Sequence, residues 1–303
     1  AAFGLCLHSD FPLPECLPDP AVGDVPAADV TIRYADAPPL TPSTDTTIHH
    51  GVLYAAQPQQ FYYALHGVAT YRADDGHSIR VQPAPDADAA SVRAFLLGPV
   101  MGALLHQRGV LLLHASAVQL GERTALIMGE AATGKSLLAA ALWRRGHRVL
   151  ADDLAVITRN TDGAFVVQPE YPHLLLHPPA LKLLGLSPDE YPHLRPQLEK
   201  RRVPLEDAYQ PQPQRLDQIY MLTREPRAAL SLEAVRGVQV FNQLGNGVYH
   251  MRFLRGMGDD GRVLRLMPRL AQQTRVQALH YRIAHDAPDA IAAALEHDTL
   301  LTG

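Results

Sequence analysis

Residues 124–136 read TALIMGEAATGKS: a short apolar run, a turn of small residues, then Lys135 and Ser136 at the head of the Ala/Leu-rich run SLLAAAL (136–142). Gly129, Glu130, Ala131, Ala132, Thr133, Gly134, Lys135 and Ser136 together fit G-x-x-x-x-G-K-[ST]. The flanks are those of a strand, loop and helix unit. Glycine lets such a loop curl until successive backbone N–H groups face inward at anionic oxygens, and the following helix adds the positive end of its dipole. In that arrangement all eight residues bind a nucleotide, Lys135 neutralises terminal phosphates and the Ser136 hydroxyl ligates a bridging magnesium ion. Only Lys135, Lys182 and Lys200 are lysines, so a chance match is on the order of one in a thousand.

Working outward, Val110 to Val118 and Thr124 to Met128 are apolar runs separated by the polar turn Gln119 to Arg123, the pattern of a buried hairpin. A helix is predicted from Lys135 to about Arg145, ending at Gly146. The strand Arg148 to Leu150 then delivers Asp152 and Asp153, 16 and 17 residues past Ser136. A strand beside the loop-bearing strand would carry these carboxylates toward the phosphates, one for magnesium and one to accept a hydroxyl proton. His114 lies in LLLHASAV, facing either a core or a cleft.

The chain has 303 residues, 47% hydrophobic and 19% charged, which fits a globular fold with a full-sized core. A net charge of -4 offers no general attraction to nucleic acid or to an anionic membrane, so phosphate recognition must be local. Cys6 and Cys16 make neither a zinc set nor a disulfide scaffold. No run reaches the roughly 18 uninterrupted apolar residues of a membrane span, and the start lacks a signal-peptide pattern. A cytoplasmic protein without nucleic-acid or membrane partners is expected; a homo-oligomer is compatible.

Residues 1–88 are rich in Pro, Asp and Ala, with short apolar runs at Val30 to Tyr34, Gly51 to Ala55, Phe61 to Val68 and Ser78 to Val81. They predict a small β-rich N-terminal domain. The linker Gln82 to Ala90 sets the boundary, and 89–303 is predicted as an α/β catalytic domain with a mixed sheet and flanking helices. Apolar spacing from Ala90 to Gln107 predicts a helix packed on the catalytic sheet. Further on, strands are expected at Phe165 to Gln168, Gln218 to Leu222 and Val276 to Ile283. Helices are expected near Pro179 to Leu184, Gly261 to Gln273 and Pro288 to Glu296, the last capped by Asp286. Ser187 to Pro213 reads as a Pro- and Arg-rich connector whose Lys200 and Arg202 are candidate substrate- or phosphate-binding cations, set against a solvated charge run.

GHRVLADD (146–153) downstream of the phosphate-loop motif resembles the bacterial HPr kinase/phosphorylase group, and His114 stands 15 residues before Gly129, where that family carries an active-site histidine. The resemblance covers Val110 to Ile157. It implies the family's P-loop kinase fold, with ATP and Mg2+ as cofactors. His114 joins the active site, Lys135 binds phosphate, Ser136 and Asp152 support the metal, and Asp153 deprotonates an acceptor serine. The family's later segment with a metal-binding glutamate has no counterpart at His173 to Pro179. Either Glu170 takes that role, or Ser136 and the aspartates hold the metal alone. No loop for grasping HPr is evident. In overall style, including FGLCLHSDFPLPE (3–15), the chain is similar to HPr-kinase-like proteins of peptide natural-product pathways, among them kinases acting on a C-terminal serine of lasso-peptide precursors. The resemblance implies transfer to a Ser/Thr hydroxyl of a peptide or protein; a nucleotide-dependent regulatory module and a small-molecule kinase are the competing readings.

Overall fold

The computed structural model describes residues 1–18, 27–40, 47–49, 52–225, 229–282 and 288–301. The chain divides into two compact units: Ala1–Leu112 with Leu194–Leu198 and Tyr249–Arg265, and Leu113–His193 with Glu199–Val248 and Leu266–Gly303.

The first unit is built on seven strands, β1 (Leu7–Ser9), β2 (Val30–Tyr34), β3 (Thr47–His49), β4 (Val52–Gln57), β5 (Gln60–Leu65), β6 (Ala69–Asp74) and β7 (Ser78–Pro83). Their order is β1-β2-β7-β6-β5-β4-β3, antiparallel from β7 to β3 and parallel at β1/β2 and β2/β7. Asp75 and Gly76 both take positive φ in the β6–β7 turn between the paired Asp74 and Ser78, where His77 N donates to Asp74 O at 3.2 Å. Against the sheet packs a helical run made of α1 (Ala89–Phe95), a π-helical turn (Leu96–Val100) containing Pro99, and α2 (Met101–Gln107). Asp88 caps α1 by accepting from Ser91 N at 2.7 Å. Pro99 has no N–H to donate, which fits the loosened turn around it. The run, Ala89–Gln107, is long and apolar enough to cross a membrane by length and composition, yet its most apolar window is 61% buried inside the fold.

That packing corrects the expectation that this helix leans on the catalytic sheet. Tyr71 Oη of β6 donates to Val92 O at 2.8 Å, and Val92, Leu96, Val100, Met101 and Leu104 are buried. Helix Met251–Gly256 adds Phe253, whose ring meets Tyr54 and Phe61 with centroids at 4.9 and 4.7 Å.

In the second unit the central strands are β9 (Ala115–Leu120), β10 (Arg123–Met128), β11 (Arg148–Asp152), β12 (Ala155–Arg159), β13 (Phe165–Gln168), β17 (Gln214–Arg224), β18 (Ser231–Ala234) and β19 (Arg275–Tyr281), following β8 (Leu111–Leu113) in the chain. The order runs β11-β9-β10-β17-β13-β12, and β19 also pairs with β17 and carries β18. β10, β17 and β19 are mutually parallel, while β9 is antiparallel to both β10 and β11. The carboxyl ends of β10, β11, β17 and β19 therefore share one edge, together with the start of β9. In open α/β sheets ligands bind outside such carboxyl ends.

Helix α3 (Lys135–Arg144) buries Leu138 to Leu142 and packs on β9, β10 and β11. It ends in a Schellman closure, with Gly146 N to Trp143 O at 2.9 Å, His147 N to Leu142 O at 3.1 Å and φ of 94° at Gly146. Three sequence expectations change here. The strand carrying Asp152 is not beside β10; β9 stands between them, because the hairpin Ala115–Leu120/Arg123–Met128 fills the neighbouring place. The connector from Ser187 to Pro213 is not irregular throughout: it contains the short β15 (His193–Arg195) and β16 (Leu198–Pro204), and β16 pairs antiparallel with β14 (His173–Leu176). The expected helix Gly261–Gln273 is two helices, Asp260–Leu264 and Met267–Gln273, the second opening with Pro268 in its first turn. The C-terminal helix runs Pro288–Leu301; the proposed cap Asp286 lies outside the described residues.

Candidate functional site

The loop between β10 and α3 is built as its residues demand. A Cβ on Gly129 would meet Thr133 Oγ1 at 2.8 Å and both Leu222 Cβ and Leu222 O at 3.0 Å, so the loop closes against β17 only with glycine there. Ala132 and Gly134 take left-handed φ of 61° and 93°. Thr133 Oγ1 donates to Glu130 O at 2.8 Å, and Tyr281 Oη at the end of β19 donates to Thr133 O. The Lys135 ammonium folds inward and donates to Gly129 O and Glu130 O, each at 3.0 Å. Burial lowers its pKa, opposed by the nearby charges of Asp153 and Asp152, while Lys200 lowers it further.

Asp152 is buried and fixed at both carboxyl oxygens. Its cross-strand partner Ser116 on β9 donates to Oδ1 at 2.7 Å, and Leu175 N on β14 donates to Oδ2 at 2.9 Å. Burial raises its pKa; the bonds from Leu175, Ser116 and Ser136 act the other way. Asp153 is different. It is about one-third exposed, its backbone has φ of 100°, and its carbonyl lies 3.0 Å and its Oδ1 3.3 Å from His114 Nδ1. His114 itself is held by its own N–H to Gly247 O at 2.8 Å.

A cavity of about 920 Å³ opens at this edge of the sheet. His114, Ala131 to Ser136, Asp153 and Lys200 all line it, so the Lys135 and Asp153 side chains face one space. Gly129, Glu130, Asp152 and Arg202 are not among its walls. Arg202, two residues beyond Lys200 on β16, instead acts on buried His173, whose pKa burial pushes down to about 3 with that guanidinium lowering it further. Among the described residues that line the cavity, Lys135, Lys200 and Arg224 are cationic and Asp153 alone carries a carboxylate, a balance suited to a polyanion. Leu175, Leu176, Pro179 and Leu183, from β14 and α4 (Pro178–Leu183), form an apolar wall. Among the described residues no group of three or more His, Cys, Asp or Glu side chains is set to hold a metal. The Ser136 hydroxyl beside the Asp152 carboxyl is a pair of hard oxygen donors, which fits magnesium completed by water and phosphate oxygens.

No protein-family model matches the chain, and no curated protein does. Among solved structures it is similar to the HPr(Ser) kinase/phosphatase from Coxiella burnetii, with a TM-score of 0.34 and 16% identity over 63% of this chain and 99% of that one. A likeness at that level says nothing about activity.

Four groups at the site are not singled out for it by the sequence: Ser116, Leu175 N, Arg224 and Tyr281. Arg224 and Tyr281 end strands parallel to β10, so a correct sheet order would bring them to this edge. Ser116 sits in an apolar run, and a lone hydroxyl there signals nothing until its partner across the sheet is known. Glu170, considered as a metal ligand, is buried and accepts from Asp152 N at 2.7 Å through Oε2.

Proposed function

We propose that the chain is a magnesium- and ATP-dependent kinase that transfers the terminal phosphoryl group to a Ser or Thr hydroxyl of a peptide or protein. One observation carries this reading: Lys135, the loop and the carboxylate of Asp153 face a single cavity at the carboxyl edge of a parallel strand set. A kinase must hold a triphosphate and also give the acceptor's proton somewhere to go.

The backbone N–H groups of 131–136 and the Lys135 ammonium would bind the phosphates, the ammonium exchanging two loop carbonyls for phosphate oxygens. Ser136 and Asp152 would hold magnesium, Asp152 kept in place by Ser116 and Leu175. When bound, the ion would offset negative charge on the phosphates. Asp153 takes the hydroxyl proton as the acceptor oxygen bonds to phosphorus and the bond to the departing diphosphate breaks. His114, against the Asp153 carboxyl, orients it. Lys200 and Arg224 add positive charge on the facing walls.

A serine acceptor on a protein or peptide is supported by the resemblance of the 146–153 segment to HPr kinases, and the C-terminal serine of a lasso-peptide precursor by the overall style that includes FGLCLHSDFPLPE (3–15). The test is incubation with ATP, magnesium and candidate Ser/Thr peptides, followed by mass spectrometry. A peptide gaining one phosphate is expected. ATP cleavage with every peptide unmodified would contradict the assignment.

A further inference from the structure

Leu175 N donates to Asp152 Oδ2 at 2.9 Å, so β14 passes directly beside the aspartate pair. Leu175 and Leu176 both line the cavity. The chain then turns into α4 at Pro178, and Pro179, Ala180 and Leu183 line the same cavity. These three stand one, three and four positions apart, the spacing of a single helix face. Nothing in the fold covers that face fully: Pro179 is exposed and Leu183 is 66% exposed, whereas Leu181, on the other side of the helix, is completely buried. An apolar surface therefore starts at the carboxylates and continues outward along one wall.

The opposite end of the cavity has another character. The sheet order β11-β9-β10-β17, with β19 paired beyond β17, separates β11 from β19 by four strand spacings of about 4.8 Å each. Arg224 and Tyr281 line that far end, and the phosphate loop follows β10 between the two ends. In an in-line displacement the entering oxygen and the departing diphosphate stand on opposite sides of phosphorus. With Asp153 marking the entering side, the rest of the nucleotide extends toward β17 and β19, and the β14–α4 wall is left to the acceptor. Successive residues of a peptide are about 3.8 Å apart. A chain whose serine reaches Asp153 thus lays its next residues over Leu175, Pro179 and Leu183.

We propose that the β14–α4 wall is a specificity site for the acceptor peptide: it takes an apolar side chain within two residues of the serine or threonine that receives the phosphate, with Leu183 as the main contact. The inference rests on the kinase reading for the identity of its occupant.

The probes are five serine peptides, identical except that the residues flanking the serine are Leu, Phe, Gly, Asp or Lys. Binding to the full chain is followed by fluorescence anisotropy with magnesium and a non-hydrolysable ATP analogue, and phosphate transfer by mass spectrometry with ATP. The Leu and Phe peptides are expected to bind about tenfold tighter than the Gly peptide, and the Asp and Lys peptides no better than Gly. Leu183→Ser should remove about fivefold or more of that preference while MgATP affinity stays within about twofold. Leu183→Lys should turn the preference toward the Asp peptide. Leu183 is exposed, so both variants should melt within about 2 °C of wild type; the peptide comparison on wild type stands even if a variant fails to fold.

Four results would overturn the proposal: no peptide of the panel binds, the Leu and Gly peptides bind equally, wild type prefers the Asp peptide, which would make Lys200 the reader, or the Leu183 changes weaken MgATP instead, which would put the nucleoside on this wall. Selective binding of the Leu and Phe peptides without any transfer would sink the kinase reading and leave the wall in place. Equal binding and transfer across all five peptides would do the reverse.

Discussion

Asp153 and Asp152 are adjacent in the chain yet have different surroundings. Asp152 has both oxygens bonded to Ser116 and Leu175 and is buried; Asp153 is turned by its positive φ into the cavity beside His114. Asparagine tolerates positive φ nearly as well as aspartate. Asp153→Asn should therefore melt within about 2 °C of wild type, bind MgATP normally and lose transfer, as thermal melts and a peptide assay would show. Ser116→Ala should act differently. It leaves a buried carboxyl oxygen short of its donor and should cost about 1–3 kcal/mol in denaturant unfolding. Gly129→Ala drives a Cβ into Thr133 and the Leu222 backbone, so it should reopen the loop and weaken ATP binding by tenfold or more, measurable with a fluorescent nucleotide. The motif residues and the paired aspartates can be picked out because they are patterns along the chain, and Lys135 and Asp153 do line one cavity. Glu170 is visible as a residue but its contact is not, since its partner is the main-chain N–H of Asp152, which no side-chain pattern announces.

Among the elements, α3 and its closing turn are legible because caps and apolar runs are local signals. Gly146 has φ of 94° with nothing within 4 Å of the place a Cβ would occupy, so alanine there strains only the backbone. Gly146→Ala should destabilise by about 1 kcal/mol while leaving nucleotide affinity unchanged, a direct contrast with Gly129→Ala. β16 is hidden because LEKRRVP carries charges at most positions and so looks like a loop; what makes it a strand is the apolar partner HLLL of β14. β6 escapes notice for a related reason. Its buried face is Ala69, Tyr71 and Ala73, and two alanines give little alternation to detect.

The two compact units each bury a histidine, and both make the protein sensitive to acid. His106 in the first unit donates from Nε2 to Tyr249 O at 2.7 Å, and burial pushes its pKa down from 6.5 to about 4. As pH falls, the unfolded chain takes up this proton first. Stability is therefore complete above about pH 6.5 and is lost as pH falls toward 4. Urea titrations at pH 7 and pH 5 should differ by on the order of 2 kcal/mol from this group, and His106→Asn should flatten that part of the dependence. The bond also shows why the division into units is not legible. Residues 249–265 join the first unit from a point far along the chain, and no local periodicity marks a segment whose partners lie more than a hundred residues away.

Calorimetric titration of MgATP into wild type, Lys135→Ala and Asp153→Asn, with phosphate transfer to peptide followed on the same samples, separates holding the triphosphate from taking the proton. Wild type should bind and transfer, Asp153→Asn should bind with affinity within about threefold and not transfer, and Lys135→Ala should do neither. Undiminished transfer by Asp153→Asn, or full binding by Lys135→Ala, would contradict a site in which main-chain amides and one ammonium cradle the phosphates beside a proton-accepting carboxylate.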